Sequence, residues 1–323
     1  MEKRDRRESD GRKRMAAQRR KRKRRLKGLL RLLAAVLCLG FLIRTAATFE
    51  RKVTSPTEDG EVDLSGLYSP YAILVETQTG RIVGERQSDA RIWPASLTKI
   101  MTSLLLLEQA EDLEETTEIK SEIFGPLQAR GASMAGFAPG EKVSLKDLLY
   151  GMLLPSGAEC SVATAQWVAG SEEEFTVRMN ERARELGLAD THFANATGLQ
   201  DENHYSTVRD LAFLLIQALK DPDFRAAFTA ERYTSSGTAE HPEGITLHST
   251  LFVAMREAKI EDDRILGGKT GYTAQAGLCL ATLLAVDGKE YVLVTAGAKG
   301  NHYTDPYHVR DAEKVCRRLN RRR

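Results

Sequence analysis

A serine and a lysine stand three residues apart in the apolar segment WPASLTKIMTSLLLLE, which runs from residue 93 to residue 108. Residues three apart share one face of a helix, so a helix here would place the Ser96 hydroxyl beside the Lys99 amine. A hydroxyl becomes a nucleophile when a neighbouring group takes its proton, and Lys99 could do so if burial lowered its pKa. On its own, however, the pair favours a core helix that begins with an ordinary serine.

A second serine, Ser156, lies in a Pro-Ser-Gly turn within LLPSGAEC, residues 153–160. The segments on both sides predict helices, so the turn could project the Ser156 hydroxyl into a cleft. The same turn is also a common helix connection, and taken alone it favours that simpler interpretation.

The third motif is Lys269-Thr270-Gly271, which leads a strand and is followed by Tyr272. At a strand edge, a lysine and a threonine present an ammonium and a hydroxyl that suit a carboxylate. Gly271 would keep side-chain bulk away, so that a peptide could lie along this edge. The sequence GGKTG does not predict a phosphate loop, because the spaced glycine pattern and the following helix are absent.

Strands at both ends of the body frame a helical middle. One hairpin is predicted for residues 72–76 and 81–86, and a second for residues 278–286 and 290–298, joined by the turn-forming pair Asp287-Gly288. Helical patterns predict further helices at residues 144–154, 161–170, 172–188, 206–220 and 305–320. The expected fold class is therefore α+β, an antiparallel sheet flanked by helices with a helical subdomain.

Charge is distributed unevenly along the 323 residues. Residues 1–28 hold fifteen Lys or Arg and four Asp or Glu, a net charge of +11, so the other 295 residues carry −9 of the total of +2. A nucleic-acid-binding fold is not expected, because such a fold would spread basic residues over a folded face.

An apolar segment, residues 28–49, follows the basic residues at once. Its uninterrupted core, residues 32–43, is short for a membrane span and suits a signal peptide, but flanking arginines that reach the interface leave a full span open. We expect an uncleaved anchor with the basic tail in the cytoplasm and the rest exported, and a cleaved signal is the alternative. The expected order is cytoplasmic tail, membrane segment, linker, catalytic domain and basic tail, at residues 1–27, 28–49, 50–68, 69–316 and 317–323.

The order and spacing of the three motifs are more specific than any one of them. Ser-x-x-Lys, a Ser-Gly turn about sixty residues later and Lys-Thr-Gly about 110 residues further on are the arrangement of penicillin-binding proteins and class A β-lactamases. The chain resembles the serine-type D-alanyl-D-alanine carboxypeptidases, which are low-molecular-mass penicillin-binding proteins with a β-lactamase-like fold. The resemblance covers residues 69–310 and includes GASMAGFAPGEKVSLKDLLYGMLLPSGAE and THFANATGLQDENHYSTVRDLA.

The resemblance implies a reaction and its partners. Ser96 would attack the penultimate D-alanine of a peptidoglycan stem peptide ending in D-Ala-D-Ala, with Lys99 as base and Ser156 relaying a proton to the leaving D-alanine. The implied partners are this peptide, β-lactams as covalent inhibitors and the cytoplasmic membrane of a bacterium, with the domain on the extracytoplasmic side. No cofactor, metal or nucleic acid is implied.

The third motif would bind the substrate. By the same resemblance, Lys269 would support the proton network, and Thr270 together with Lys269 would hold the terminal carboxylate. Gly271 would line this edge, and the backbone N–H groups of Ser96 and Tyr272 would form the oxyanion hole.

The second motif departs from the family pattern at Ala158, where an asparagine is usual. Loss of its amide would cost on the order of 10- to 1,000-fold in rate. Glu159 is adjacent but faces another direction on a helix, so it is not expected to substitute. A non-catalytic relative that binds peptidoglycan is therefore one alternative. A β-lactamase is another, although no convincing deacylating carboxylate–asparagine loop follows the second motif.

A zinc peptidase is a third alternative from a different class. It is disfavoured because the six histidines include no His-Glu-x-x-His pattern. Asn195, His204 and Asp210, which match the family's middle segment, are expected to fix loops behind the cleft.

Overall fold

The computed structural model describes residues 61–301 and 303–320. The predicted cytoplasmic tail, the predicted membrane segment and most of the predicted linker lie outside the described residues. Within the described ranges, no helix combines the length and the apolar character needed to cross a membrane.

The described residues form nine strands and nine α-helices. The strands are β1 Tyr71–Glu76, β2 Ile82–Arg86, β3 Thr116–Glu118, β4 Lys142–Ser144, β5 Arg232–Thr234, β6 Thr246–His248, β7 Ile265–Thr273, β8 Gly277–Val286 and β9 Lys289–Ala298. The helices are α1 Lys99–Gln109, α2 Phe124–Ala129, α3 Leu145–Leu153, α4 Ala158–Ala169, α5 Glu172–Glu185, α6 Val208–Ala218, α7 Pro222–Thr229, α8 Thr250–Glu257 and α9 Tyr307–Asn320.

Five strands form an antiparallel sheet in the order β2-β1-β9-β8-β7, so β7 lies at an edge. Both predicted hairpins are present, and Asp287 and Gly288 join the second with φ angles of +53° and +74°. Positive angles at both positions are those of the tight turn that Asp-Gly favours. The short pairs β3–β4 and β5–β6 were not predicted, because three residues are too few to show an alternating pattern.

The sheet is covered on both faces. Alternate residues of β1 divide between two cores: Ile73 and Val75 join the first, whereas Ala72 and Leu74 join the second. The first core includes the helical middle of the chain, and the second includes apolar residues of α8 and α9. The structure therefore has the predicted α+β architecture, with an antiparallel sheet between helical layers.

Helix α1 lies at the centre of the helical part. Every residue from Lys99 to Leu106 is at most 8% exposed, and the helix packs against α3, α4 and α6. A helix that is apolar on all sides needs such a surrounding shell. A single 3₁₀ turn, Ala95–Thr98, precedes α1 and carries Ser96 to the edge of this buried region.

The folded part of the chain extends past both predicted domain boundaries. Val62, Leu64 and Leu67 from the predicted linker are buried in the second core, and the Val62 N–H donates to the Val83 carbonyl at 2.7 Å. At the other end, α9 continues to residue 320 and buries Leu319. Both segments are mostly polar in sequence, and their few apolar residues pack into the second core.

Candidate active site

Ser96 and Lys99 are in hydrogen-bond contact. The Lys99 Nζ lies 3.0 Å from the Ser96 Oγ and 2.7 Å from the carbonyl oxygen of Thr197. Ala95, directly before the serine, has a φ of +48°, in the left-handed region that a side chain disfavours. Such backbone strain persists only where packing enforces it, and it is concentrated at functional sites.

Burial sets the charge of Lys99. Its side chain is 2% exposed, and desolvation lowers its pKa to about 7, while the negative charge of Glu159 acts in the opposite direction. A large fraction of the amine is therefore neutral near pH 7 and can take the proton of Ser96. The apolar segment that follows Lys99 in the sequence thus provides the low pKa that a lysine base needs.

The carbonyl that holds Lys99 belongs to a loop organised by Asn195. The Asn195 Oδ1 accepts hydrogen bonds from the backbone N–H groups of Thr197 and Gly198, at 3.1 and 2.7 Å. Gly198 has a φ of +82°, and a Cβ atom there would lie 1.8 Å from the carbonyl oxygen of Ala95. Asn195 therefore supports a loop behind the serine, as predicted, and only glycine fits at position 198.

His204 supports the serine turn from another side. Burial lowers its pKa to about 4, so the ring is neutral. The Ala194 N–H donates to Nδ1 at 3.1 Å, which leaves the ring proton on Nε2, 2.7 Å from the Thr98 Oγ1. Thr98 in turn donates to the carbonyl of Ala95 at 2.8 Å. Both ring nitrogens are thus used to hold the backbone around Ser96, which agrees with the predicted supporting role.

Lys269 and Thr270 lie in the middle of the nine-residue edge strand β7, whereas the sequence predicted that they lead a strand. Lys269 is fully buried, and its Nζ donates to the carbonyl of Thr270 at 2.8 Å. Burial and the nearby charge of Lys99 hold the pKa of Lys269 well below its usual range. The Thr270 Oγ1 lies 2.6 Å from the hydroxyl of Thr250. The edge strand thus offers a half-buried hydroxyl and a desolvated amine.

Gly271 is the point where β7 meets the serine turn. A Cβ atom at this position would lie 3.1 Å from the backbone N of Ser96 and 3.2 Å from the Ala95 Cβ. The predicted reason for this glycine was room for a peptide, whereas the structure shows that it admits the serine turn itself. This close approach brings the Ser96 N–H beside the strand that carries Tyr272.

Ser156 lies on a strained turn between α3 and α4. Its φ is +69°, and its Oγ is buried without a hydrogen-bond partner among the described residues. The turn is held by the Gly157 N–H, which donates to the Gly151 carbonyl, and by the Ala158 N–H, which donates to the Ser133 carbonyl, both at 2.8 Å. Ala158 begins α4 and is buried, so no side-chain amide is present at this position.

Residues outside the predicted motifs complete the site. Thr250 links the second and third motifs, because its N–H donates to the Leu154 carbonyl at 3.1 Å and its hydroxyl contacts Thr270. Thr197, which holds Lys99, lies in an Asn-x-Thr-Gly stretch whose turn-forming composition could have marked it. No local pattern marks Thr250, since its partners are distant in sequence.

The first and third motifs thus meet in the fold: the Ser96 backbone lies against Gly271, and the charge of Lys99 contributes to the lowered pKa of Lys269. Thr250 connects the segment of the second motif to the third. For the zinc-peptidase alternative, residues 61–301 and 303–320 contain no group of three or more His, Cys, Asp or Glu that could hold a metal ion.

Known proteins share these motifs and this fold. The family model for peptidase S11, D-alanyl-D-alanine carboxypeptidase, matches residues 59–300. The chain is 34% identical over 228 residues to D-alanyl-D-alanine carboxypeptidase DacF of Bacillus subtilis, covering 70% of this chain and 57% of that protein. It is 31% identical over 295 residues to DacC of Escherichia coli, covering 89% and 68%. The chain therefore spans between about half and two thirds of the length of these two relatives.

A solved structure extends the comparison to the fold. The crystal structure of the Streptomyces K15 DD-transpeptidase matches with a TM-score of 0.70 and 27% identity, and it covers 83% of this chain and 99% of that one. The family match over three quarters of the chain, the fold and the three convergent motifs lead to one conclusion: this chain belongs to the D-alanyl-D-alanine carboxypeptidase family.

Proposed function

We propose that this protein removes the terminal D-alanine from peptidoglycan stem peptides through an acyl-enzyme on Ser96. The observation that carries the proposal is the 3.0 Å contact between the Ser96 hydroxyl and a buried lysine whose pKa is about 7. A hydroxyl beside a neutral amine is an activated nucleophile, and the family membership supplies the substrate class.

Acylation starts as Lys99 accepts the Ser96 proton while the Ser96 Oγ bonds to the carbonyl carbon of the penultimate D-alanine. The backbone N–H groups of Ser96 and Tyr272 stabilise the negative oxygen that forms. The C–N bond to the terminal D-alanine then breaks, and the Ser156 hydroxyl relays the proton from Lys99 to the leaving nitrogen. Ser156 suits this step because its Oγ has no hydrogen-bond partner among the described residues.

The substrate would lie along the edge strand β7, with its terminal carboxylate at Lys269 and Thr270. Burial disfavours the charged form of Lys269 in the free protein. A bound carboxylate would reverse this effect, because an opposite charge favours the ammonium form. Substrate binding and protonation of Lys269 are therefore coupled.

Water completes the reaction by attacking the ester on Ser96, which releases the shortened stem peptide. One solved relative is a DD-transpeptidase, so an amine acceptor in the assay distinguishes transfer from hydrolysis. A β-lactam would acylate the same serine and form an ester that water hydrolyses slowly.

Mass spectrometry of the purified full-length chain after benzylpenicillin treatment tests this function. We expect one adduct of penicillin mass that is absent from Ser96→Ala, together with release of D-alanine from a stem pentapeptide. A folded protein that shows neither would favour the inert peptidoglycan-binding alternative. Rapid turnover of penicillin would favour the β-lactamase alternative.

We also propose that residues 28–49 anchor the chain in the bacterial cytoplasmic membrane, with the catalytic domain outside. The basic residues before this segment favour a cytoplasmic N-terminus, and the proposed substrate lies outside the cell. In intact spheroplasts, a tag at the N-terminus should resist added protease while the domain is digested. Release of the domain into the medium would instead indicate a cleaved signal peptide.

A further inference from the structure

Glu159, next to the missing amide, is fully buried. Its Oε1 accepts hydrogen bonds from the backbone N–H groups of Ala135 and Gly136, at 2.6 and 2.9 Å. Its Oε2 is buried and has no hydrogen-bond partner among the described residues. A buried carboxylate oxygen without a partner is costly and rare, so its presence requires an explanation.

The unpaired oxygen lies beside the second motif. A Cβ atom at Gly157 would be 3.0 Å from the Glu159 Oε2, so the carboxylate borders the turn that carries Ser156. The Ser156 Oγ is also buried without a partner among the described residues. The same carboxylate acts on the base, since its charge raises the pKa of Lys99 against the effect of burial. Glu159 therefore connects a loop, the second motif and Lys99.

We propose that Glu159 is a positioning residue that compensates for the amide absent at position 158, an inference that rests on the proposed function. The carboxylate holds the loop of residues 133–137 against the Ser156 turn. It also stabilises the ammonium form of Lys99 that follows proton transfer from Ser96. An amide would act through hydrogen bonds alone, whereas a carboxylate acts through its charge, so the two have different effects on pH dependence.

Other titratable groups around Lys99 do not supply this charge. Cys160 on α4 stays protonated, because burial raises the pKa of its thiol well above its usual value. Lys269 on β7 and His204 on the loop behind the serine are bases, and burial lowers the pKa of each. Burial raises the pKa of the Glu159 carboxyl as well, whereas the N–H groups of Gly136 and Ala135 and the charge of Lys99 favour its charged form. The charged forms of Glu159 and Lys99 therefore stabilise each other.

The test is Glu159→Gln, which keeps an acceptor for the loop N–H groups and removes the charge. The rate of benzylpenicillin acylation of the full chain is measured against pH by intact-protein mass spectrometry. In the wild type the rate should rise through about pH 7 as Lys99 loses its proton. Without the carboxylate the pKa of Lys99 falls, so the rise should move to lower pH by roughly one unit, with a maximum lowered about tenfold.

Glu141→Gln is the matched control. Glu141 is a second buried carboxylate next to the same loop, accepts the Ala138 N–H at 2.6 Å and is not among the groups that act on Lys99. Its variant should leave the midpoint of the pH profile unchanged. Glu159→Asp keeps the charge, so it should retain the wild-type midpoint even where its shorter side chain loosens the loop.

An unmoved midpoint in Glu159→Gln, an equal shift in Glu141→Gln, or an acid shift in Glu159→Asp would each overturn the inference. Should the Gln variant fail to fold, the Asp variant still tests the role of the charge. Failure of the proposed function is distinguishable, because the wild type itself would then form no adduct at any pH.

Discussion

The two serines of the site differ in whether their hydroxyl groups already have a hydrogen-bond partner in the protein. The Ser96 hydroxyl already contacts Lys99, which is held in turn by the Thr197 carbonyl. The Ser156 hydroxyl has no hydrogen-bond partner among the described residues and stands on backbone with a φ of +69°. In the proposed mechanism, the nucleophile is therefore preorganised, whereas the Ser156 hydroxyl would gain its partners only when a substrate is bound. Substitutions at the first serine should be more damaging than those at the second.

The largest effect is expected for Ser96→Ala, which removes the atom that forms the ester. Penicillin labelling should vanish, and D-alanine release should fall by at least about 10⁴-fold, as for other lost nucleophiles. Intact-protein mass spectrometry and a D-alanine assay measure the two quantities. Ser103→Ala on the same buried helix is the control and should remain labelled. An adduct that persists in Ser96→Ala would place the nucleophile elsewhere, with Ser156 as the first candidate.

The next largest effect is expected for Lys99→Met, which removes the base and keeps a side chain of similar size. Acylation should slow by about 10³-fold, because a positioned proton acceptor is lost. Thermal stability should change little, since the gain from removing a buried amine is offset by the loss of its hydrogen bond to the Thr197 carbonyl. Labelling kinetics and the unfolding midpoint test both parts. A labelling rate close to that of the wild type would exclude Lys99 as the base.

A smaller effect is expected for Ser156→Ala. The loss of a proton relay should slow D-alanine release by about 100-fold. The unfolding midpoint should hardly change, because the Ser156 Oγ has no hydrogen bond to lose within the described residues. Comparison of the D-alanine release rate with the melting temperature checks this. A rate loss equal to that of Ser96→Ala would show that both serines are equally essential and would contradict the expected difference between them.

The smallest change is expected for Ala158→Asn, which restores the usual residue of the motif. D-alanine release should change by at most about threefold, because we infer that the Glu159 carboxylate already compensates for the missing amide. Ala158→Leu is the matched control, because it adds a side chain of similar size without the amide. A rise of about tenfold or more in Ala158→Asn would instead indicate that Glu159 does not compensate for the amide.

Local signals in the sequence predicted much of the fold. Asp287-Gly288 between two apolar runs predicted the second hairpin, because both residues tolerate the positive φ of a tight turn. The strands β3 to β6 and the packing of residues 61–68 were missed, since those segments are ordered by distant neighbours. The predicted membrane segment lies outside the described residues and stays a prediction.

In the candidate site, too, local sequence patterns predicted some residues, while others depend on distant neighbours. The sequence predicted Ser96, Lys99, Ser156 and the Lys-Thr-Gly strand as candidates. In the fold, Gly271 contacts the serine turn, and Thr250 connects the second and third motifs. Glu159 was set aside because helix geometry turns it away from position 158. Its hydrogen-bond partners come instead from residues 135 and 136, which no spacing rule on α4 could indicate.

The sequence by itself determined which chemical groups are available and that Ser96 and Lys99 can meet, because a spacing of three residues on a helix is a local property. Only the tertiary structure decided that the pKa of Lys99 is about 7 and that Gly271 lies against the backbone of Ser96. Desolvation depends on which distant segments exclude water from the amine. A close approach of two backbones likewise depends on how the sheet and the helical part pack together.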